Sequence, residues 1–131
     1  MYKQRLMKEA TEAAKRRFNE YLLVFNQSDL FSWEAYIQGP DGTPYENRIF
    51  HVKMILSTEY PISPPKIYFK TKIFHPNIHF TTGEVCLDII KSEWSPTWTL
   101  ESLCRALRLL MENPNEDSPL NCDAANLIRL K

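Results

Sequence analysis

An asparagine and a cysteine nine positions apart, with a tight turn between them, form the part of this chain best suited to chemistry. The stretch reads His75-Pro76-Asn77-Ile78-His79-Phe80-Thr81-Thr82-Gly83-Glu84-Val85-Cys86-Leu87-Asp88. Pro76 fixes its own φ and removes a backbone donor, so the stretch is not a helix interior. Thr81-Thr82-Gly83 reads as a turn, with glycine free to take positive φ. The chain is therefore expected to fold back and present the Cys86 thiol near the Asn77 carboxamide. That pairing suits acyl transfer through a thioester: a thiolate attacks a carbonyl, and a fixed N–H steadies the oxygen that turns negative.

Rival chemistries fail on spacing. A lone cysteine is most often a small core residue, and it is the setting of Cys86 that sets it apart. His75 and His79 stand four apart, a metal pair on a helix, but Pro76 breaks that geometry and no further ligands accompany them. No metal and no cofactor is expected. A papain-like set would place histidine and asparagine far downstream of the cysteine; here both lie upstream and nearly adjacent. A phosphate-cradling loop needs glycines or basic residues after the thiol, and Leu87-Asp88-Ile89-Ile90 offers neither.

The 131 residues suit one domain, 1–131, with a core of its own. The 16 basic and 16 acidic side chains cancel, so no global field favours nucleic acid or an anionic membrane, although residues 1–17 lean basic. No apolar run approaches the ~20 residues of a membrane span, and no secretory signal is evident. Cys86, Cys104 and Cys122 form no close pair, which points to a reducing, cytoplasmic setting with one reactive thiol; a Cys104–Cys122 disulfide is the lesser alternative.

The elements that must position the site follow from periodicity. Residues 2–19 predict an amphipathic helix with Leu6, Ala10, Ala13 or Ala14, Phe18 and Tyr21 on one face. Aromatic and β-branched runs at 21–26, 31–38, 49–56 and 66–70, joined by short turn-rich connections, predict a four-stranded antiparallel meander. Phe50, Val52, Met54 and Leu56 share one face of the third strand, so one side of the sheet should be covered by helices and the other wet. Tyr60-Pro61-Ile62-Ser63-Pro64-Pro65 is a stiff loop in which Ile62 is either packed or an exposed knob. Trp94-Ser95-Pro96-Thr97-Trp98 reads as a structured loop. Thr99 caps a helix at 100–112 that Asn113-Pro114 ends, and Asn121 caps a last helix at 123–130.

Taken together, His75-Pro76-Asn77, the cysteine nine residues on, Cys86-Leu87-Asp88-Ile89, Trp94-Ser95-Pro96 and Tyr60-Pro61-x-x-Pro64-Pro65 resemble the ubiquitin-conjugating enzyme family over essentially the whole chain. The resemblance implies an α+β fold: an N-terminal helix, the four-stranded meander, an active-site loop, then C-terminal helices. It implies that Cys86 accepts ubiquitin from an activating enzyme as a thioester and that a lysine amine then attacks it. Asn77 would support the oxyanion or brace the loop that carries it. A thioester is already reactive, so the lack of a histidine base beside Cys86 is no objection. By the Pro119-Leu120 anchor, Ser118 and Asp117 match the polar position near the acceptor amine.

Arg5, Lys8, Ile62 and Pro96 match the surface that receives a RING-type ligase, and the same first helix meets the activating enzyme. Ile62 is smaller than the phenylalanine of promiscuous members, which implies a narrower choice of ligase. Gly83-Glu84-Val85-Cys86-Leu87, Glu93-Trp94-Ser95-Pro96-x-Trp98 and Asp117-Ser118-Pro119-Leu120-x-x-Asp123 are similar to the peroxisomal branch. Its members ubiquitinate import receptors at the cytosolic face of the peroxisomal membrane, held by a membrane-anchored tethering protein. The family core usually runs through another helix, so a truncated C-terminus with an apolar edge at Leu127 and Leu130 is expected. The alternative function is a catalytically silent ubiquitin-binding scaffold of the same fold; such variants lack the cysteine, which this chain keeps.

Overall fold

The computed structural model describes residues 2–15, 20–85, 90 and 94–115. Helix α1 covers Tyr2–Lys15 and is followed by strands β1 (Tyr21–Asn26), β2 (Asp29–Gln38), β3 (Ile49–Ile55) and β4 (Lys66–Phe69), then helix α2 (Leu100–Glu112). The strands form one antiparallel sheet in the order β1-β2-β3-β4. This is the expected α+β architecture. The expected helix at 123–130, the apolar edge at Leu127 and Leu130, and residues 16–19 of the first helix lie outside the described residues.

Side-chain alternation sets the sheet's two faces. Trp33, Ala35 and Ile37 from β2, Phe50, Val52 and Met54 from β3, and Ile67 and Phe69 from β4 are buried together with Leu6, Ala10 and Ala13 of α1 and Leu100, Leu103, Cys104, Leu107 and Met111 of α2. Between them, Glu34, Tyr36, His51, Lys53 and Tyr68 are half-exposed on the other face, where the His51 ring stacks on Tyr36 at 4.7 Å and meets Glu34 at 2.6 Å. Arg108 ties α2 to the sheet through the Gln38 carbonyl (2.8 Å) and Glu20 (2.6 Å).

Three strand ends differ from the sequence pattern. Strand β3 stops at Ile55 rather than residue 56. Strand β2 starts at Asp29 rather than residue 31, because Asn26 pairs with Asp29 across the Gln27-Ser28 turn. The Asn26 side chain accepts from Ser28 N, and the Asp29 side chain accepts from Phe31 N; turn-forming residues thus extend the ladder they would ordinarily end. Strand β4 ends at Phe69, since Lys70 N and Thr71 N both turn to the His51 carbonyl.

Residues 83–85 run beside β4. Phe69 N donates to Gly83 O (2.7 Å), Tyr68 bridges Glu84, and Val85 N donates to Ile67 O (3.1 Å). Gly83 has φ of 77°, and a Cβ there would lie 1.9 Å from the Phe69 carbonyl oxygen. Both the left-handed backbone and the close approach require glycine. Gly83→Ala should destabilise the fold by roughly 2–5 kcal/mol, read as a lowered midpoint in urea unfolding; a midpoint equal to that of the native sequence would contradict the close approach.

Candidate active site

The His75-Pro76-Asn77 triplet and the hairpin after it form a flap along the β4 edge of the sheet. Ile78 N donates to His75 O (3.2 Å), His79 N to Glu84 O (2.9 Å) and Gly83 N to His79 O (2.7 Å). Ile78 bridges Val85 in antiparallel fashion. The next residues outward from that bridge in the chain are Asn77 and Cys86. Cys86 itself, with Asp117 and Ser118, lies outside the described residues.

Asn77 is fully buried, which obliges its amide to find partners. Its Oδ1 accepts from Asn115 N at 2.8 Å, and its Nδ2 donates to Asn115 O. The carboxamide thus makes a two-point hold on the backbone just beyond α2, at the entry to the segment that carries Asp117 and Ser118 in sequence. His75 is equally buried, with Nδ1 accepting from Asn77 N (3.0 Å) and Nε2 facing the Leu110 carbonyl (2.8 Å). That pattern fits the neutral ring with the proton on Nε2. Burial lowers the His75 pKa, and the bond to Leu110 only partly opposes it. His79 spends Nδ1 on Thr81 N and Thr82 N, both at 3.2 Å. Among the described residues no cluster of metal-ligating side chains occurs. Tyr45 walls the flap, donating from its hydroxyl to Phe74 O (2.8 Å) beside the His75 ring; burial pushes its own pKa up to about 12.

Of the cysteines, Cys104 is a free thiol buried in α2, where burial, with a smaller contribution from Glu101, pushes its pKa up to about 12. It is a core residue and an unsuitable acyl carrier. Cys122, the partner in the expected lesser alternative, lies outside the described residues.

The residues expected at the partner surface lie on α1 and two loops that side-chain hydrogen bonds link to one another. Ile62 is 66% exposed, an exposed knob rather than a packed side chain, and Lys8 and Pro96 are exposed as well. Arg5 differs from expectation. Its guanidinium turns inward, donating to Pro96 O (2.7 Å) and Trp98 O and pairing through Nε with Glu9 (2.9 Å). Arg5 thus shapes this surface more than it displays a charge on it. Glu9 escaped the sequence reading, although the signal is there: it falls at i+3 from Leu6 and one before Ala10, a carboxylate inside the apolar stripe of α1.

The sequence profile of the family described as ubiquitin-conjugating enzyme matches residues 5–131. The chain belongs to the ubiquitin-conjugating enzyme family. Members of this family are ubiquitin transferases, and ubiquitin, activating enzymes and ligases are their general partners. The chain is 49% identical over 127 residues to Protein PEROXIN-4 of Arabidopsis thaliana, an alignment that covers 95% of this chain and 81% of that protein. It is 53% identical over 126 residues to the ubiquitin-conjugating enzyme E2 pex4 of Dictyostelium discoideum, covering 95% and 85%. Both names fall within the peroxisomal branch indicated by the sequence motifs. The solved ubiquitin-conjugating E2 domain of Toxoplasma gondii superposes with a TM-score of 0.88 at 33% identity, covering 100% of this chain and 88% of that one. No helix among the described residues is long and apolar enough to cross a membrane.

The buried His75 links stability to pH. The unfolded ring takes up a proton near pH ~6.5, while the folded ring, with its lowered pKa, does so only at lower pH. The unfolded chain then binds more protons, so stability is full above that value and is lost as pH falls from there through the folded pKa. Thermal unfolding midpoints should therefore drop between about pH 7.5 and 5.5, and the drop should shrink in His75→Gln. An identical pH slope in both proteins would refute the neutral assignment.

Proposed function

We propose that this chain is an active conjugating enzyme, one domain over residues 1–131, with Cys86 as its acyl carrier. The Cys86 thiolate attacks the thioester carbonyl carbon offered by the activating enzyme; a new C–S bond forms and the activating enzyme's thiolate leaves. A substrate lysine amine then attacks that carbon, the C–N bond forms, the C–S bond to Cys86 breaks, and the amine's proton passes to solvent or to the acidic segment at Asp117 and Ser118. The observation that carries this reading is the antiparallel Ile78–Val85 bridge, which sets the chain neighbours of a buried, clamped asparagine and of the cysteine against one another.

Both ends of the Asn77 carboxamide engage Asn115. That favours the bracing role over direct oxyanion support: Asn77 fixes the start of the segment that receives the acceptor amine. A RING-type ligase would dock over Ile62, Pro96 and Lys8. Likeness to the two peroxin-4 relatives supports action at the cytosolic face of the peroxisome, with import receptors as substrates and a membrane-anchored protein as tether.

Incubated with activating enzyme, ATP and ubiquitin, the protein should form an adduct that reducing agent removes. Cys86→Ala should form none, and Cys86→Ser should give an adduct that survives reduction. An adduct in Cys86→Ala would reassign the nucleophile. Asn77→Ala should charge nearly normally yet discharge to lysine about 10–100-fold more slowly, as expected for lost positioning. Unaltered discharge would remove Asn77 from the mechanism.

A further inference from the structure

The buried carboxylate of Glu9 has no part in the chemistry at Cys86, yet it is the junction of four segments. Glu9 is 6% exposed. Oε1 accepts from Leu100 N (2.7 Å), the first residue of α2, while Oε2 accepts from the Tyr60 hydroxyl (2.5 Å) and from Arg5 Nε (2.9 Å). Arg5 carries the connection on to Pro96 O and Trp98 O, and its guanidinium lies over the Tyr60 ring at 5.6 Å. Trp94 Nε1 donates to Pro61 O (2.9 Å), and the Tyr60, Trp94 and Trp98 rings follow one another at 5.9 and 6.4 Å.

Backbone bonding within the two loops is local. Residues 57–63 close on themselves through Tyr60 N to Ser57 O, Ile62 N to Glu59 O and Ser63 N to Glu59 O, and residues 95–98 through Trp98 N to Ser95 O. Among the described residues, the hydrogen bonds that join the two loops to each other and to α1 run through Trp94, Arg5 and Glu9. At the outer tips of the same loops stand Ile62 and Pro96, and Lys8 lies one residue back from Glu9 on α1.

We propose that Glu9 is a positioning residue, whose carboxylate holds α1, the Tyr60-Pro61-Ile62 loop and the Trp94–Trp98 loop in the one arrangement that the activating enzyme and the ligase recognise. The inference rests on the reading of Ile62, Pro96 and Lys8 as the partner surface. Burying a carboxylate is unfavourable unless its partners are all in place. Here two of the donors come from α1 and the Tyr60 loop, and the third, Leu100 N, follows directly on the Trp94–Trp98 loop and its cap residue. A surface held ready in its bound form binds partners without the entropy loss of ordering it.

The test uses the intact chain carrying Glu9→Gln, which keeps size and one acceptor oxygen but turns an NH2 toward groups that are themselves donors. In thioester formation by activating enzyme, KM for the variant should rise about five- to tenfold with kcat within about twofold, the mark of weakened docking alone. Discharge of preformed thioester to free lysine without a ligase should stay within about twofold of the native rate. Acrylamide should quench tryptophan fluorescence more strongly, because Trp94 and Trp98 loosen while Trp33 stays sealed in the sheet. An unmoved KM, unmoved quenching, or an equal fall in charging and ligase-free discharge would overturn the proposal. Tyr60→Phe, which removes one donor and keeps the ring, should shift KM in the same direction by about two- to threefold, and decides the matter where Glu9→Gln folds poorly. If the native sequence forms no adduct, the Cys86 reading fails instead, and the quenching comparison alone then decides whether Glu9 holds the loops.

Discussion

A helix cannot satisfy its own first N–H groups or its last C=O groups, and in this protein buried side chains from distant segments take some of both from α2. At the N-terminal end, Glu9 accepts from Leu100 N, alongside the Thr99–Ser102 capping box. At the other end, His75 meets the Leu110 carbonyl, and Asn77 holds Asn115 just past the last turn. Glu9, His75 and Asn77 are the buried polar side chains of the described core. Each acts where regular hydrogen-bond ladders stop and irregular backbone begins.

Magnitudes argue that these groups serve shape more than stability. Withdrawing a carboxylate from water costs on the order of several kcal/mol, and hydrogen bonds to a charge return roughly 1.5–3 kcal/mol each. Glu9 with three donors therefore comes out near balance. A leucine on the same face of α1 would add roughly 1.5–3 kcal/mol by burial without withdrawing a charge from water. Leucine, however, would leave the Tyr60 hydroxyl and Leu100 N without this acceptor and give Arg5 no anchor. The residue suits a task in which one geometry must win over nearby alternatives.

What the sequence revealed is what local physics determines. Helix α2 begins and ends where Thr99 and Asn113-Pro114 place it, because caps and proline act within a few residues. The period-2 runs give four strands, and the short connections between them leave few topologies other than a meander. The resemblance carried by His75-Pro76-Asn77 and Cys86 reached the family. Hidden from the sequence were pairings across large separations: Asn77 with Asn115, Glu9 with Leu100, Arg5 with Pro96. A carboxylate in the apolar stripe of α1 signals some buried partner but not which one. Arg5 reads as a surface cation because nothing local shows that carbonyls 91 and 93 residues away will draw it inward. Ile62 could be read either way, since proline-rich stiffness fixes the loop's shape and not which way it faces.

The two clamps act on one rigid body. A helix of 13 residues spans about 20 Å at ~1.5 Å per residue, and α2 is fastened to the sheet by Leu103, Cys104, Leu107 and Met111 along its length. Its first residue is tied to the loops that bear Ile62 and Pro96, and its last turn is tied to the flap that bears Asn77. The loops proposed to face partners and the flap that bears Asn77 therefore share a single frame, so that docking at one end of α2 would not need to rebuild the other end. On the thioester reading proposed above, such rebuilding is not needed: the acyl group would arrive already activated, and what remains is to place a thiol, a braced loop and an incoming amine at fixed separations.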